Sequence, residues 1–233
     1  MGRMAKAALV TGGSSGIGLA IARMLREEGF ELTVAARHGE RLEAAAAELD
    51  AQPVATDVAR ENDCERLVLA HRERFGRLDV LVCSAGVGIA GRIEELTTKH
   101  WDLQIDVNLR GAFLVTRFAL PMLKEAHGLV VNLSSIAGTA PAPGLAAYGA
   151  SKAALISFTR SLNAEHARDG IRATAICPGF VDTPMAAWTG MPSDEMIQPE
   201  DCAEVVRMCL RLSPRARIPQ VVIERVGSSG KIA

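Results

Sequence analysis

The sequence predicts one α/β domain over residues 1–233, a doubly wound parallel sheet with helices on both faces. Three observations predict it. Short apolar runs alternate along the chain with segments of helical periodicity, the pattern of repeated βαβ units. Several of those runs, LDVLVC and ATAIC among them, are apolar on both alternating faces, as strands covered on two sides must be. A chain of 233 residues that is 48% hydrophobic is also the right size for one such domain, and no linker, repeat or low-complexity stretch divides it. Aromatic residues are only 4%, so Ala, Val, Leu and Ile must fill the core.

The elements follow in order. AALV (7–10) is the first strand and runs into TGGSSGIG (11–18). IGLAIARMLREE (17–28) has helical spacing and stops at Gly29. ELTVAA (31–36) is the second strand, followed by a helix rich in Ala and Glu over 39–49. PVAT (53–56) is the third strand and 62–75 the next helix. LDVLVCSAG (78–86) is a strand entering a loop of small residues, and one long helical pattern covers 98–125. GLVVNLSS (128–135) is a strand, 147–168 a helix and IRATAICPG (171–179) a strand. Residues 182–198 read as a loop, 200–211 as a helix and QVVIE (220–224) as the last strand. The polar tail GSSGKIA (227–233) is expected to fray.

Composition removes several classes of function. A formal net charge of −1 and a pI near 6.5 leave no basic surface for nucleic acid and no polybasic membrane anchor. No apolar run is long enough to span a bilayer, and the N-terminal one is too short for a signal peptide. Lys6 stands where a myristoylation signal needs Ser or Thr. Cys64, Cys83, Cys177, Cys202 and Cys209 form no C-x-x-C pair, which implies reduced thiols and a cytoplasmic protein. The five histidines lack metal-ligand spacing and read as packing or surface residues; no metal is expected.

Chemistry concentrates in two places. Gly12, Gly16 and Gly18 lie between the first strand and the first helix, with Ser14, Ser15 and Ile17 among them. Such a loop lets backbone approach a pyrophosphate, which then faces the free N–H groups and positive end of the helix. The spacing is G-x-x-x-G-x-G, and a bare turn would share it; its position after a first strand is what points to a dinucleotide. At the end of the second strand an NAD site would carry an acid for the ribose hydroxyl. Here the chain reads Ala35-Ala36-Arg37, and a guanidinium matches a 2′-phosphate, so NADP(H) is expected over NAD unless Arg37 is an ordinary surface residue. Asp57 and Val58 end the third strand, where an adenine would lie.

The second place is YGASK (148–152), which contains the only tyrosine of the chain. One helical turn puts Tyr148 and Lys152 on one face. An ammonium beside a phenol favours the phenolate and makes the phenol a usable acid or base near neutral pH. The bland alternative is an amphipathic helix with Tyr148 in the core and Lys152 in water. Asn108, inside a helical pattern that suits asparagine poorly, and the hydroxyls of VNLSSIAG (131–138) change that balance.

TGGSSGIG, Asp57-Val58, Asn108, the NLSS and YGASK pair, and ICPGFVDTPM (176–185) occur in the order, and over nearly the length, found in the short-chain dehydrogenase/reductase family, whose NADP-preferring members the chain resembles. The resemblance implies a Rossmann-type fold and nicotinamide-dependent interconversion of alcohols and carbonyls. It implies Tyr148 as the general acid/base and Lys152 as the residue that binds the nicotinamide ribose and lowers the phenol's pKa. It implies Ser135, thirteen residues before the tyrosine, as the carbonyl-orienting hydroxyl, and Asn108 as the holder of a relay water. Pro178, Gly179, Val181 and Thr183 would fix the nicotinamide amide, with Ser84, Ala85 and Gly86 along the cofactor. Two features depart from the family. Cys83-Ser84-Ala85-Gly86 stands where Asn-Asn-Ala-Gly is usual, which is expected to weaken this strand end locally. The C-terminal RIPQVVIERVG lacks the Val-Asp-Gly-Gly ending of many tetrameric members. A homodimer or homotetramer is still implied.

Met185 and Trp188 in the loop 183–198, with Val87, Ile136, Gly144 and Leu145, suggest a pocket for a small hydrophobic ketone, aldehyde or secondary alcohol. The same side chains could equally pack the loop onto the domain or onto a partner subunit. Two other activities compete: a 3-oxoacyl-thioester reductase, and an NADP-binding regulator without turnover, which would need no acid/base set. A sugar-nucleotide epimerase would need more chain than the roughly 50 residues after Gly179.

Overall fold

A computed structural model describes residues 5–37 and 39–227. Seven strands form one parallel sheet in the order β3-β2-β1-β4-β5-β6-β7. They are β1 Ala7–Thr11, β2 Glu31–Ala36, β3 Gln52–Ala55, β4 Val80–Cys83, β5 Leu129–Leu133, β6 Arg172–Pro178 and β7 Gln220–Ile223. The helices are α1 Gly16–Glu27, α2 Gly39–Leu49, α3 Glu61–Phe75, α4 Thr98–Ile105, α5 Gly111–Ala126, α6 Ala146–Glu165 and α7 Pro199–Arg211.

Strand residues alternate between two cores because the side-chain period of a strand is two. Ala8, Val10, Val80, Val82 and Val131 face α1, α2 and α7, where they meet Ile21, Leu25, Leu42 and Val206. Leu9, Leu81 and Val130 face α3, α5 and α6, where they meet Leu67, Leu123 and Leu155. Both faces are dry, which is why these strands read as continuous apolar runs. Arg207 of α7 pairs with Glu27 and Glu28 at the end of α1 and ties two distant parts of the chain together.

The expected elements are present, with shifted ends. The strands expected over 78–86 and 128–135 shorten to four and five residues. The single helix expected over 98–125 is three segments, because Asp106–Arg110 forms a π-helical turn between α4 and α5. The loop at 182–198 holds two 3-10 turns, Pro184–Thr189 and Ser193–Glu195. Two further 3-10 turns, Ile93–Glu95 and Ile136–Gly138, have no signal in the apolar periodicity. Of the expected frayed tail, Gly227 lies in a turn and 228–233 lie outside the described residues. No described helix is long and apolar enough to cross a membrane.

Candidate active site

The order of the sheet reverses direction between β1 and β4. At that point the connections leave toward opposite faces and open a crevice beyond the carboxyl ends of the strands. The glycine loop lines it. Gly12 has φ +69°, and a Cβ there would lie 2.8 Å from the Ala85 nitrogen. A Cβ on Gly18 would lie 2.3 Å from the Gly12 oxygen. Only glycine lets the loop fold against itself and against the end of β4. Thr11 fastens that junction: its Oγ1 donates to the Val82 carbonyl and accepts from the Ala85 N–H, both at 3.3 Å.

Ser15 caps α1 in an extended conformation, yet its hydroxyl makes no capping bond, and the first turn of α1 carries no acid. The helix therefore presents unsatisfied N–H groups, a hydroxyl and a positive dipole end to the crevice. Ser14, Gly16, Ile17, Arg37, Asp57, Val58, Ser84, Ala85, Gly86 and Thr183 line the same crevice. Arg37 forms no ion pair with any described carboxylate. The donor set, the cradle that a Cβ would fill and the cation at one end all fit a dinucleotide phosphate.

Beside this crevice α6 brings in Tyr148 and Lys152. The lysine is buried, and its Nζ donates 2.7 Å to the Leu133 carbonyl at the end of β5. Burial pulls its ammonium down to about 8 from the usual 10.5. Its Nζ stands 5.5 Å from the centre of the Tyr148 ring. The Tyr148 phenol is shifted upward, because burial disfavours the phenolate by more than the Ser135 hydroxyl's hydrogen bond favours it. The sequence reading expected the opposite direction from the neighbouring ammonium; it weighed the charge and not the desolvation. Ser135 ends β5's loop, and its Oγ accepts from the Ala137 N–H at 3.1 Å, which fixes it toward the phenol. Ser134 points elsewhere and donates 2.8 Å to the Lys152 carbonyl, bracing α6.

Asn108 sits in the π turn, buried. Its Oδ1 accepts from the Val87 N–H at 2.8 Å, and its Nδ2 donates to the Val87 carbonyl at 2.9 Å and to Ser151 Oγ at 3.0 Å. It thus clamps the loop after β4 to α6. Gly86 lies over it: a Cβ there would be 3.3 Å from Asn108 Oδ1 and 3.5 Å from Lys152 Nζ.

A second cavity, of about 160 Å³, opens against Tyr148. Ser135, Ile136, Leu145, Met185 and Trp188 line it, and so do Pro178, Gly179 and Val181. Of the residues expected at a substrate pocket, Val87 lies in the first crevice, and Gly144 lies off both linings, its carbonyl accepting from the Gly91 N–H at 2.9 Å. Met185 and Thr183 border both spaces. The sequence reading did not single out Gly88, Ala90, Phe180 or Arg225, which also form the cavity wall. Phe180 precedes the 3-10 turn that carries Trp188 and stacks edge-on against it, a signal visible only as an aromatic beside the Pro-Gly turn.

The family model for short chain dehydrogenases matches residues 6–191. An uncharacterized oxidoreductase of Staphylococcus epidermidis is 36% identical over 224 residues, covering 95% of this chain and 97% of that one. Among solved structures, a variant of actinorhodin polyketide ketoreductase with NADPH superposes with a TM-score of 0.89 at 35% identity, covering 99% of both chains. The alcohol dehydrogenase of the archaeon Thermococcus sibiricus, complexed with 5-hydroxy-NADP, gives 0.88 at 33%, covering 95% of this chain and 97% of that one. The 3-ketoacyl-(acyl-carrier-protein) reductase of Brucella melitensis, complexed with NADH, gives 0.88 at 29%, covering 96% and 98%.

Proposed function

Because the chain belongs to the short-chain dehydrogenase family, we propose that it is an NADP(H)-dependent oxidoreductase that reduces a small hydrophobic ketone or aldehyde. The observation that carries this reading is that Ser135 and Tyr148 line an apolar cavity that shares Thr183 and Met185 with a phosphate-fitting crevice, while Lys152 Nζ lies 5.5 Å from the Tyr148 ring and beside Gly86 of the crevice. A bound nicotinamide supplies the hydride and, once oxidised, a positive charge near the phenol. The Tyr148 phenol, shifted upward, is protonated across neutral pH, the state from which a carbonyl reductase starts. It gives its proton to the carbonyl oxygen as charge develops there. Ser135 donates a hydrogen bond to the same oxygen and orients it. Lys152, cationic below about pH 8, binds the ribose hydroxyls and stabilises the phenolate that remains. Asn108 is a positioning residue, since its amide is committed to Val87 and Ser151. A relay water would be held by the second lone pair of its Oδ1 or by its main-chain carbonyl.

NADPH oxidation against ketones, diketones and 3-oxo thioesters tests the reading. Tyr148→Phe is expected to lower kcat by about 10²- to 10⁴-fold, the share of a general acid, with NADPH binding retained. Equal turnover by the variant would remove Tyr148 from the chemistry. The NADP preference rests on Arg37: Arg37→Ser is expected to weaken NADPH binding roughly tenfold or more, the worth of a charge-assisted bond, and to leave NADH binding alone. Equal losses for both cofactors would refute the 2′-phosphate contact.

The second reading, a 3-oxoacyl-thioester reductase, is favoured by the likeness to the Brucella enzyme, and the thioester arm of the panel decides it. A regulator without turnover would bind NADPH and reduce nothing. Exposed Trp101, Leu103 and Phe113, with Phe113 stacked edge-on against Phe158, support a homodimer or homotetramer through the α4, α5 and α6 side. Five buried unpaired thiols support a reducing, cytoplasmic setting.

A further inference from the structure

The loop after β4 reads Gly86-Val87-Gly88-Ile89-Ala90-Gly91, three glycines in six residues, a backbone with little stiffness of its own. Gly88 and Ala90 form part of the wall of the cavity against Tyr148. Gly88 also backs the phenol, since a Cβ there would lie 3.5 Å from Tyr148 Cδ2. The shape of the cavity and the seat of the phenol ring therefore depend on what holds this strip still.

The ends of the strip are held by Asn108, whose amide takes both main-chain groups of Val87, and by the Gly144 carbonyl, which takes the Gly91 N–H. The middle is held by Gln104 of α4, whose Oε1 accepts from the Ile89 N–H at 2.9 Å. Gln104 Nε2 donates 3.1 Å to the His100 carbonyl of its own helix. One partner is a donor and the other an acceptor, so only one orientation of the amide satisfies both. Gln104 is fully buried, and it is the one residue of α4 that is buried. A helix ordinarily buries apolar side chains, and a buried amide is a cost unless its hydrogen bonds are made. Gln104 and Asn108 stand four residues apart and reach Ile89 and Val87, two residues apart. Four helical residues rise about 6 Å, within the ~7 Å that two residues of chain can span, so one helix face serves both.

Resting on the reductase reading above, we infer that Gln104 is a positioning residue for the reaction. Through the Ile89 N–H it holds Gly88 and Ala90 in the wall of the substrate cavity, and Gly88 against the Tyr148 ring. Gln104 itself lines neither the cavity nor the cofactor crevice. The crevice takes Gly86 and Val87 from the same loop, and Asn108 keeps that part in place. Loss of Gln104 should thus loosen the ketone's side of the loop and spare NADPH. The rival account makes Gln104 a structural residue whose loss weakens fold, cofactor binding and turnover alike.

Gln104→Met keeps the length of the side chain and removes both hydrogen bonds. Native enzyme and variant are compared by amide hydrogen exchange at Ile89, by calorimetric titration with NADPH and by kinetics with the best ketone of the panel. The Ile89 amide should exchange about tenfold faster or more in the variant. KM for the ketone should rise about tenfold, the worth of one buried hydrogen bond, and kcat should fall by less than that. NADPH affinity should stay within about twofold, as expected where the contacts of the crevice are untouched. A ketone KM that does not move overturns the inference and leaves the reductase reading standing. An NADPH affinity that falls in step with kcat/KM also overturns it, in favour of the structural account. If Gln104→Met does not fold, Gln104→Asn, whose shorter side chain draws the acceptor back from Ile89, is read by the same three measurements. No NADPH oxidation by native enzyme with any ketone defeats the reductase reading and this inference together.

Discussion

Lys152 occupies a position that costs the protein stability. Its side chain is buried with one carbonyl partner, and its folded pKa of about 8 lies well below the ordinary 10.5. Below pH 8 the lysine is charged in both folded and unfolded chains, and the folded state carries the full desolvation penalty. Between pH 8 and 10.5 the unfolded chain binds more protons than the folded one, so stability from this group rises with pH. The gap corresponds to about 3 kcal/mol at ~1.4 kcal/mol per unit. Lys152→Met is therefore expected to be inactive yet to melt at or above the native temperature at pH 7, with the advantage shrinking as pH approaches 10. Thermal melts across that range check it; a variant less stable at pH 7 would show that the Leu133 hydrogen bond outweighs desolvation. A functional site that strains its fold in this way is a known trade. The sequence placed Tyr148 and Lys152 on one face but left open whether the lysine lay in water. The answer depends on the end of β5, far away in the chain.

The glycine loop and the π turn show which elements the sequence could and could not convey. The loop was legible because its determinants are local: glycines at fixed spacing between an apolar strand and an amphipathic helix. Its tolerance is testable at the same scale. Gly18→Ala places a methyl 2.3 Å from the Gly12 oxygen, so the loop must shift. A loss of about 1–3 kcal/mol is expected from such overpacking, with NADPH affinity falling at least tenfold by calorimetric titration. Gly39, with nothing within 4 Å of its Cβ position, is the control, and Gly39→Ala should change neither quantity appreciably. Unchanged NADPH binding by Gly18→Ala would separate the loop from the cofactor. The π turn was illegible because its causes are distant. Asn108 reaches Val87 and Ser151, and a Cβ on Gly111 would meet Val58 at 2.9 Å. Apolar periodicity over 98–125 reports a helix and carries no information on such contacts. The 3-10 turns of the 183–198 loop escaped for the related reason that short turns have too few residues to show a period. The aromatic and arginine walls of the cavity, Phe180 and Arg225, come from segments that only the fold brings together.

At the scale of the whole molecule, the parallel sheet and its two-sided burial follow from pattern, whereas the strand order, which fixes where the crevice opens, comes from the structure. Sheet and burial together determine where sulfur lies. Cys64 belongs to α3, Cys83 to β4, Cys177 to β6, and Cys202 and Cys209 to α7, and all five are buried. Burial pushes Cys64 up to about 11 and Cys83 and Cys202 to about 12, so the nucleophilic thiolate is scarce as well as hidden. A chromogenic disulfide reagent added to native protein at pH 8 should release almost no colour on mixing, and five equivalents after denaturation. Rapid reaction of one or more sulfurs in the native state would contradict the burial. The slow release in between is then a stopwatch built into the protein. Sulfurs on α7, at one margin of the layered stack, should tick first as that margin frays, and those in the central strands only when the whole fold comes apart. Without any label, the order of modification would chart how the enzyme breathes.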